Sequence, residues 1–158
     1  MAPPANLTTS VINPLIQATF ETFEMMLDCK SRRTGLSLKD DSTRLYPITA
    51  VIGMTGQAAG SICLSFSQEA ACTAVKRMLD MDVDEITPLV CDTVGEFANV
   101  IAGSAKDRLA DLSLELGIPN IVRGQNVQID FPSNAQPLVI QFESDIGPFL
   151  IVCGFVNR

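Results

Sequence analysis

Residues 48–66 read ITAVIGMTGQAAGSICLSF, and their pattern determines the fold class. Apolar residues alternate with small or polar ones on both sides of a glycine-containing centre, residues 55–60. This pattern is typical of two antiparallel strands joined by a turn. The centre lacks the Lys-Ser/Thr pair of a phosphate-binding P-loop and precedes a strand rather than a helix. The stretch therefore predicts a β-hairpin.

A helical pattern precedes the hairpin. Apolar residues recur at helical spacing from Ile12 to Leu27, which predicts a first helix. This helix is expected to begin near Thr9 or near Asn13. The second start would place Pro14 at the first helical position, where proline is tolerated. The polar residues 35–47 predict a loop with room for a short strand.

Two further helices follow the hairpin. Ser67 is a good capping residue and predicts a helix that runs through Leu79. Thr87-Pro88 is another start signal, because threonine caps a helix and proline suits the first turn. The third helix is expected to continue to about Leu116, where a glycine and a proline follow.

The C-terminal part of the chain predicts three strands. Residues 127–131 and 138–142 alternate between apolar and polar, and a turn at residues 144–148 leads into an apolar last strand. The element order α-β-β-α-α-β-β-β indicates an α+β fold, with helices packed on a mostly antiparallel sheet. Because no repeat or linker interrupts the chain, residues 1–158 are expected to form a single domain.

Composition excludes several classes of partner. The net charge of −7 and the isoelectric point near 4.4 argue against nucleic acids and anionic membrane surfaces, which bind basic proteins. No apolar run approaches the roughly 20 residues of a membrane-spanning helix. Residues 1–9 lack the basic start and apolar segment of a secretory signal. We therefore expect a cytoplasmic protein.

The absence of histidine restricts the chemistry further. It excludes Ser-His-Asp and Cys-His catalysis and His-ligated zinc. The five cysteines are dispersed without a CxxC spacing, which favours buried thiols over disulfides or metal ligands. The acidic loop at residues 80–85 begins like a calcium loop, but it lacks the glycine and glutamate that such a loop requires. We expect no metal or cofactor bound by this chain itself.

The third helix carries a narrow polar stripe opposite its apolar face. The stripe consists of Asp92, Glu96, Asn99 and Gly103, and Glu96 and Asn99 are neighbours at i,i+3 spacing. Gly103 and the adjacent Ala102 keep the surface low, so that the backbone of another molecule could approach the Asn99 carboxamide. Glu and Asn are common on solvated helices, so the pair alone is a weak signal. However, asparagine and glycine both disfavour a helix interior, which suggests a function for the stripe.

The arrangement Asp92-x-x-x-Glu96-x-x-Asn99, followed by Gly103, resembles the signature of the CheC, CheX and FliY phosphatases. The resemblance extends to the hairpin and to residues 119–124, and it covers most of the chain, from about residue 12 to 155. The signature occurs once, as in CheX-like proteins. The resemblance implies a CheC-like fold and a CheX-like phosphatase of chemotaxis or a related two-component pathway.

The same resemblance implies a partner and roles for the stripe. The substrate would be a phosphorylated CheY-like receiver domain, which carries an aspartyl phosphate, a Mg²⁺ ion and a lysine. Asn99 would position the attacking water, and Glu96 would pair with the receiver's lysine. Gly103 and Ala102 would lie in the contact surface. Asp92 either contacts the partner or is a first-turn residue favoured by the helix dipole.

Two further expectations depend on the resemblance. CheX-like proteins form homodimers that join sheet edges, so a homodimer is expected. It would also cover the apolar C-terminal strand if that strand lay at an edge. The alternative function is a non-catalytic module that binds a receiver domain or a flagellar-switch component. Retention of the Asn99 amide favours catalysis over this alternative.

Overall fold

The computed structural model describes residues 7–158, apart from the side chain of Ser133. The prediction that residues 1–9 lack a secretory signal concerns in part residues 1–6, which lie outside the described part. Within it, three helices pack on a seven-stranded sheet. The helices are α1 (Leu7–Leu27), α2 (Gln68–Leu79) and α3 (Pro88–Asp107). The strands are β1 (Ser31–Leu38), β2 (Ile48–Thr55), β3 (Ala58–Phe66), β4 (Glu115–Leu116), β5 (Asn120–Arg123), β6 (Leu138–Ser144) and β7 (Phe149–Asn157).

The sheet is antiparallel throughout its described pairings, as the sequence predicts. The strand order is β1-β6-β7-β3-β2-β4, and β5 also pairs with β2. Strand β7 lies between β6 and β3, so the C-terminal strand is central. The C-terminal strand therefore gives no separate reason for a dimer, because it is not at an edge. The sheet ends instead at β1 on one side and at β4 and β5 on the other.

The predicted hairpin is confirmed. Strands β2 and β3 pair without interruption from Ile48 with Phe66 to Thr55 with Ala59. The turn needs a glycine because a Cβ on Gly56 would lie 2.3 Å from the Ser113 carbonyl oxygen. The segment after α3 thus packs directly against the hairpin turn.

The predicted helix starts at Ser67 and Thr87 are also confirmed. Ser67 Oγ accepts from the Ala70 N–H at 3.1 Å, and Thr87 Oγ1 accepts from the Val90 N–H at 3.3 Å. These caps satisfy N–H groups that have no partner inside a helix.

Helix α1 differs from the prediction at its N-terminus. It begins at Leu7, with Pro14 inside it, so the alternative start at Asn13 is wrong. The first turn is held by the buried Thr8, whose hydroxyl donates to the Ala135 carbonyl at 2.7 Å and accepts from the Phe155 N–H at 3.0 Å. These tertiary bonds and the burial of Val11 outweigh the usual cost of an interior proline.

Helix α3 ends nine residues before the predicted end. The chain leaves the helix after Asp107, passes through a 3-10 turn at Ala110–Leu112, and pairs with β2 as β4 and β5. Apolar residues continue at helical spacing here, which explains the wrong prediction. The strand pairing prevails because it satisfies the backbone groups along one side of β2.

Two other segments differ from the prediction: one forms an additional strand, and the other does not form the predicted strand. Residues 31–38 form edge strand β1, which begins before residue 35, where a loop with room for a short strand was expected. Residues 127–131 form no strand. Their apolar side chains instead cover the sheet face opposite the helices, packing on the cluster Leu45, Cys63, Val139, Leu150 and Val152. Alternation at 127–131 thus reflects one-sided burial of an extended segment.

The main core lies between the helices and the sheet. Stacked phenylalanines occupy its centre: the rings of Phe23 and Phe149 are 4.4 Å apart, and those of Phe142 and Phe149 are 4.7 Å apart. Phe97 of α3 packs edge-on against Phe23 at 4.9 Å. This core fixes α3 against α1 and the sheet. No helix among residues 7–158 is both long enough and apolar enough to cross a membrane.

Candidate active site

Helix α3 holds the polar stripe in a fixed orientation. Its N-terminus is capped by Thr87, and its apolar face is buried in the core at Val90, Val94, Phe97, Ala98, Ile101 and Ala105. Near its C-terminus, the Arg108 guanidinium contacts the Glu21 carboxylate of α1. The opposite face of α3 is therefore rigid without help from a partner.

The stripe residues are exposed to different degrees. Asp92 and Glu96 are exposed, and Asn99 and Gly103 are partly exposed. Ala102 is fully buried, so its predicted role in the contact surface is wrong. The reason is helical geometry: Ala102 lies one turn after the buried Ala98, on the buried side of the helix.

The stripe forms one side of a groove of about 330 Å³. The groove is lined by Cys91, Asp92, Gly95, Glu96, Asn99, Pro119 and Ile121. The structure thus brings together three of the predicted site residues, Asp92, Glu96 and Asn99. Gly103 lies one turn beyond this lining.

The second side of the groove is a segment that runs alongside α3. A Cβ on Gly95 would lie 3.4 Å from Ile121 Cδ1 and 3.8 Å from Pro119 Cβ. A Cβ on Gly103 would lie 3.9 Å from Leu116 Cδ1. Both are ordinary contact distances, so packing alone requires glycine at neither position. Gly95 therefore widens the groove itself, and Gly103 leaves open surface one turn beyond the groove.

The polar groups of the stripe are available for a ligand. Within residues 7–158, the Glu96 carboxylate and the Asn99 carboxamide have no hydrogen bond or ion pair. An unpaired carboxylate favours a cationic ligand, and an amide can accept from one group while donating to another. Held side by side, they suit a ligand that presents a cation next to an anion and a water molecule.

Comparison with known proteins identifies the family. The family model described as chemotaxis phosphatase CheX matches residues 48–143, more than half of the chain. The chain belongs to the CheX family. It is also 29% identical over 122 residues to the CheY-P phosphatase CheX of Thermotoga maritima, an alignment that covers 75% of this chain and 79% of that relative.

Solved structures share the fold. A CheC-like superfamily protein from Shewanella sp. PV-4 has a TM-score of 0.86 at 27% identity, with coverage of 96% of this chain and 100% of that one. A chain from the CheX-CheY-BeF3-Mg²⁺ complex of Borrelia burgdorferi has a TM-score of 0.76 at 19% identity, with coverage of 94% and 98%. The predicted α+β, CheC-like fold is confirmed.

The second wall of this CheX-family groove was missed from the sequence. Pro119 and Ile121 follow the predicted end of α3 at about Leu116, in residues for which no strand was predicted. One signal was available, since proline is confined to strand edges and bulges and disfavours a long helix. The identity of the pairing strand, however, is a long-range property that local pattern does not contain.

The thiols of the CheX-family chain fall into two groups. Cys29, Cys63, Cys72 and Cys153 are buried, and burial raises the pKa of Cys63 and Cys153 to about 12. Cys91 is partly exposed and lines the groove. The buried thiols are thus packing groups, and Cys91 is a reporter of access to the site.

The acidic loop after α2 is arranged as an ion-pair cluster. Lys76 Nζ lies 3.2 Å from an Asp80 carboxylate oxygen and 3.3 Å from one of Asp82. Hydrogen bonding to both aspartates raises the pKa of Lys76. In the described part of the chain, no group of three or more Cys, Asp or Glu side chains is placed to hold a metal ion.

Proposed function

We propose that this chain, acting as a single cytoplasmic domain, hydrolyses the aspartyl phosphate of a CheY-like response regulator in chemotaxis or a related two-component pathway. The observation that carries the proposal is the unpaired Glu96 and Asn99 side by side on a rigid helix of a CheX-family chain. The Thermotoga relative is a CheY-P phosphatase, and the Borrelia structure is a complex with CheY.

Asn99 acts on the attacking water. Its carboxamide oxygen accepts a hydrogen bond from the water, and its N–H group donates to a phosphoryl oxygen, which holds the water in line with the breaking bond. The water oxygen forms the new P–O bond while the P–O bond to the receiver's aspartate breaks, and its electron pair stays on that carboxylate. A water proton leaves to solvent, and inorganic phosphate is the product. This role resembles that of the water-positioning glutamine of small GTPases.

Glu96 acts on the docking geometry. Its carboxylate pairs with the lysine beside the receiver's phosphoryl group, which fixes where Asn99 stands relative to phosphorus. The Mg²⁺ ion belongs to the receiver and supplies charge stabilisation there, so this chain needs no metal of its own. Asp92 shares the groove and contacts the receiver less directly. The alternative that it is a first-turn residue favoured by the helix dipole is wrong, because α3 begins at Pro88 and its first turn carries no acidic residue. Gly103 lets the receiver backbone approach.

The test is inorganic-phosphate release from a phosphorylated CheY-like receiver of the same organism. We expect Asn99→Ala to lower the rate by about 100-fold or more, because removal of one oriented group typically costs that much. Glu96→Ala is expected to weaken docking and so to raise KM. Gln17→Ala, an exposed amide on α1, is the matched control and should behave as wild type.

The outcomes separate catalysis from binding alone. Acceleration by wild type and by Gln17→Ala, but not by Asn99→Ala, supports the mechanism. If wild type binds the receiver without accelerating phosphate release, the chain is a non-catalytic receiver-binding module. If Asn99→Ala matches wild type in rate, the assigned role of the amide is wrong even though the chain is a phosphatase.

We also propose that the chain forms a homodimer through strand β1. This strand lies at a sheet edge and exposes Leu36 and Leu38, which are 45% and 65% exposed. An open edge with apolar side chains favours pairing with another strand. Light scattering after size exclusion should give twice the monomer mass for wild type and the monomer mass for Leu38→Lys; a monomeric wild type would refute the dimer.

A further inference from the structure

Strands β4 and β5 are two parts of one strand that is interrupted by a bulge. Leu116 pairs with Met54, and Asn120 pairs with Val51. Between these pairs β2 has two residues, whereas the opposite strand has three, residues 117–119. One extra residue against an antiparallel partner is a β-bulge, a feature that re-aims a side chain and occurs next to active sites.

The bulge holds Ile118 in solvent. The Ile118 side chain is 85% exposed, more than any other large apolar side chain in the described part of the chain. The backbone around it is nevertheless fixed. The Gly117 N–H donates to the Gly53 carbonyl at 2.7 Å, and β5 begins two residues after Ile118. The exposure is therefore a property of an ordered segment, and not of a loose loop.

Ile118 directly precedes Pro119, which lines the groove together with Asn99. The wall segment faces α3 at two levels: Pro119 and Ile121 lie next to Gly95, and Leu116 lies next to Gly103. Asn99 is midway between the two glycines on the helix, and Ile118 lies between the two contact levels on the wall. An exposed apolar residue thus lies at the rim of the groove, between the two levels at which the wall contacts α3.

The polar stripe alone is a weak binding surface. Ion pairs between exposed groups add little affinity, because water screens them and the side chains lose freedom. Interfaces gain most of their affinity from a few apolar or aromatic anchors that become desolvated near the centre. A single exposed isoleucine is unremarkable on a surface elsewhere. Here it lies at a bulge and directly precedes Pro119, which lines the groove.

We propose that Ile118 is the apolar docking residue for the receiver domain. Its side chain packs on an apolar side chain of the receiver beside the phosphorylated aspartate, while Glu96 and Asn99 act on the phosphoryl site itself. This inference rests on the proposed function, because it takes the receiver as the ligand of the groove. In it, Ile118 determines affinity and orientation, and the hydrolytic step remains with Asn99.

The test compares Ile118→Ala and Ile118→Leu with wild type in two assays. The first measures Kd for the beryllofluoride-activated receiver, and the second measures KM and kcat for phosphate release. Because loss of a buried isoleucine side chain weakens binding by about tenfold or more, we expect Kd and KM to rise by that factor for Ile118→Ala. We expect kcat to stay within about twofold and Ile118→Leu to retain most affinity.

Met25→Ala is the matched control, since Met25 is 73% exposed on α1 and away from the groove. It should change neither Kd nor KM, and all variants should melt as wild type. An unchanged Kd and KM for Ile118→Ala overturns the docking role while leaving the phosphatase in place. A fall in kcat at unchanged KM overturns it also. If wild type binds no receiver, both the inference and the proposed function fail.

Discussion

Gly103→Ala should make the protein more stable and less active. Glycine in a helix interior is about 1 kcal/mol less favourable than alanine. The added Cβ would lie 3.9 Å from Leu116 Cδ1, which is an ordinary contact without strain. We therefore expect the free energy of unfolding to increase by up to about 1 kcal/mol, and Tm to rise by about 2–4 °C for a chain of this size.

The loss of activity follows from the same methyl group. If the receiver backbone approaches α3 at Gly103, the methyl occupies space that the complex needs. Overpacking at a close contact typically costs about 1 kcal/mol or more, which corresponds to a fall in kcat/KM of about fivefold or more. Urea unfolding measures the first effect, and phosphate release from the phosphorylated receiver measures the second.

Ala102, the residue before Gly103, provides a control in which the expected change in the free energy of unfolding has the opposite sign. Ala102 is fully buried, so Ala102→Gly should destabilise the chain by about 1 kcal/mol and leave kcat/KM unchanged. A stabilised Gly103→Ala with wild-type kcat/KM would refute a contact role for Gly103. A destabilised Gly103→Ala would refute the packing argument. A drop in kcat/KM for Ala102→Gly would mean that the buried side of α3 also tunes the groove.

Two further predictions concern protein stability and access to the groove. Thr8→Val should lower the free energy of unfolding by about 1–3 kcal/mol, because it leaves the buried Phe155 N–H without its acceptor. Thr9→Val, on the exposed side of α1, should change the free energy of unfolding little, and urea unfolding measures both variants. Alkylation of native protein at pH 8 should modify Cys91 and inhibit phosphate release, and Cys91→Ser should be resistant. Cys63 should react only after unfolding, since burial raises its pKa to about 12 and suppresses the thiolate; mass spectrometry of the labelled peptides decides this.

Local signals explain which parts of the fold could be predicted. The starts of α2 and α3 depend on Ser67 and Thr87, whose side chains bond to N–H groups three residues away. The β2–β3 hairpin depends on alternation around a short turn. Each of these features is determined within a few residues of the chain. The sequence also placed Glu96 and Asn99 together, because i,i+3 neighbours on a helix need no tertiary information.

Long-range pairing explains what was missed. Strand β1 buries neither face fully and lacks a regular alternation of apolar and polar residues, so its strand conformation depends on pairing with β6. The end of α3 could not be found from helical spacing, because apolar residues recur at that spacing up to Leu116, whereas Glu115 and Leu116 pair with β2, more than fifty residues earlier. The burial of Ala102 was missed for a different reason, since it lies beside the stripe on the helix and only the tertiary packing of α3 shows that it is buried.

The candidate groove has one wall that is determined by local sequence and one wall that is determined by long-range strand pairing. The α3 wall is local and carries the reactive groups. The wall at residues 116–121 is positioned by β2, because the Gly117 N–H bonds to the Gly53 carbonyl and Asn120 pairs with Val51. The position of this wall relative to Asn99 is therefore set by how β2 and α3 pack on each other in the core. A helix carrying only the Glu96 and Asn99 pair would present the same amide and carboxylate, but it would lack the opposing wall that orients a docked surface against them.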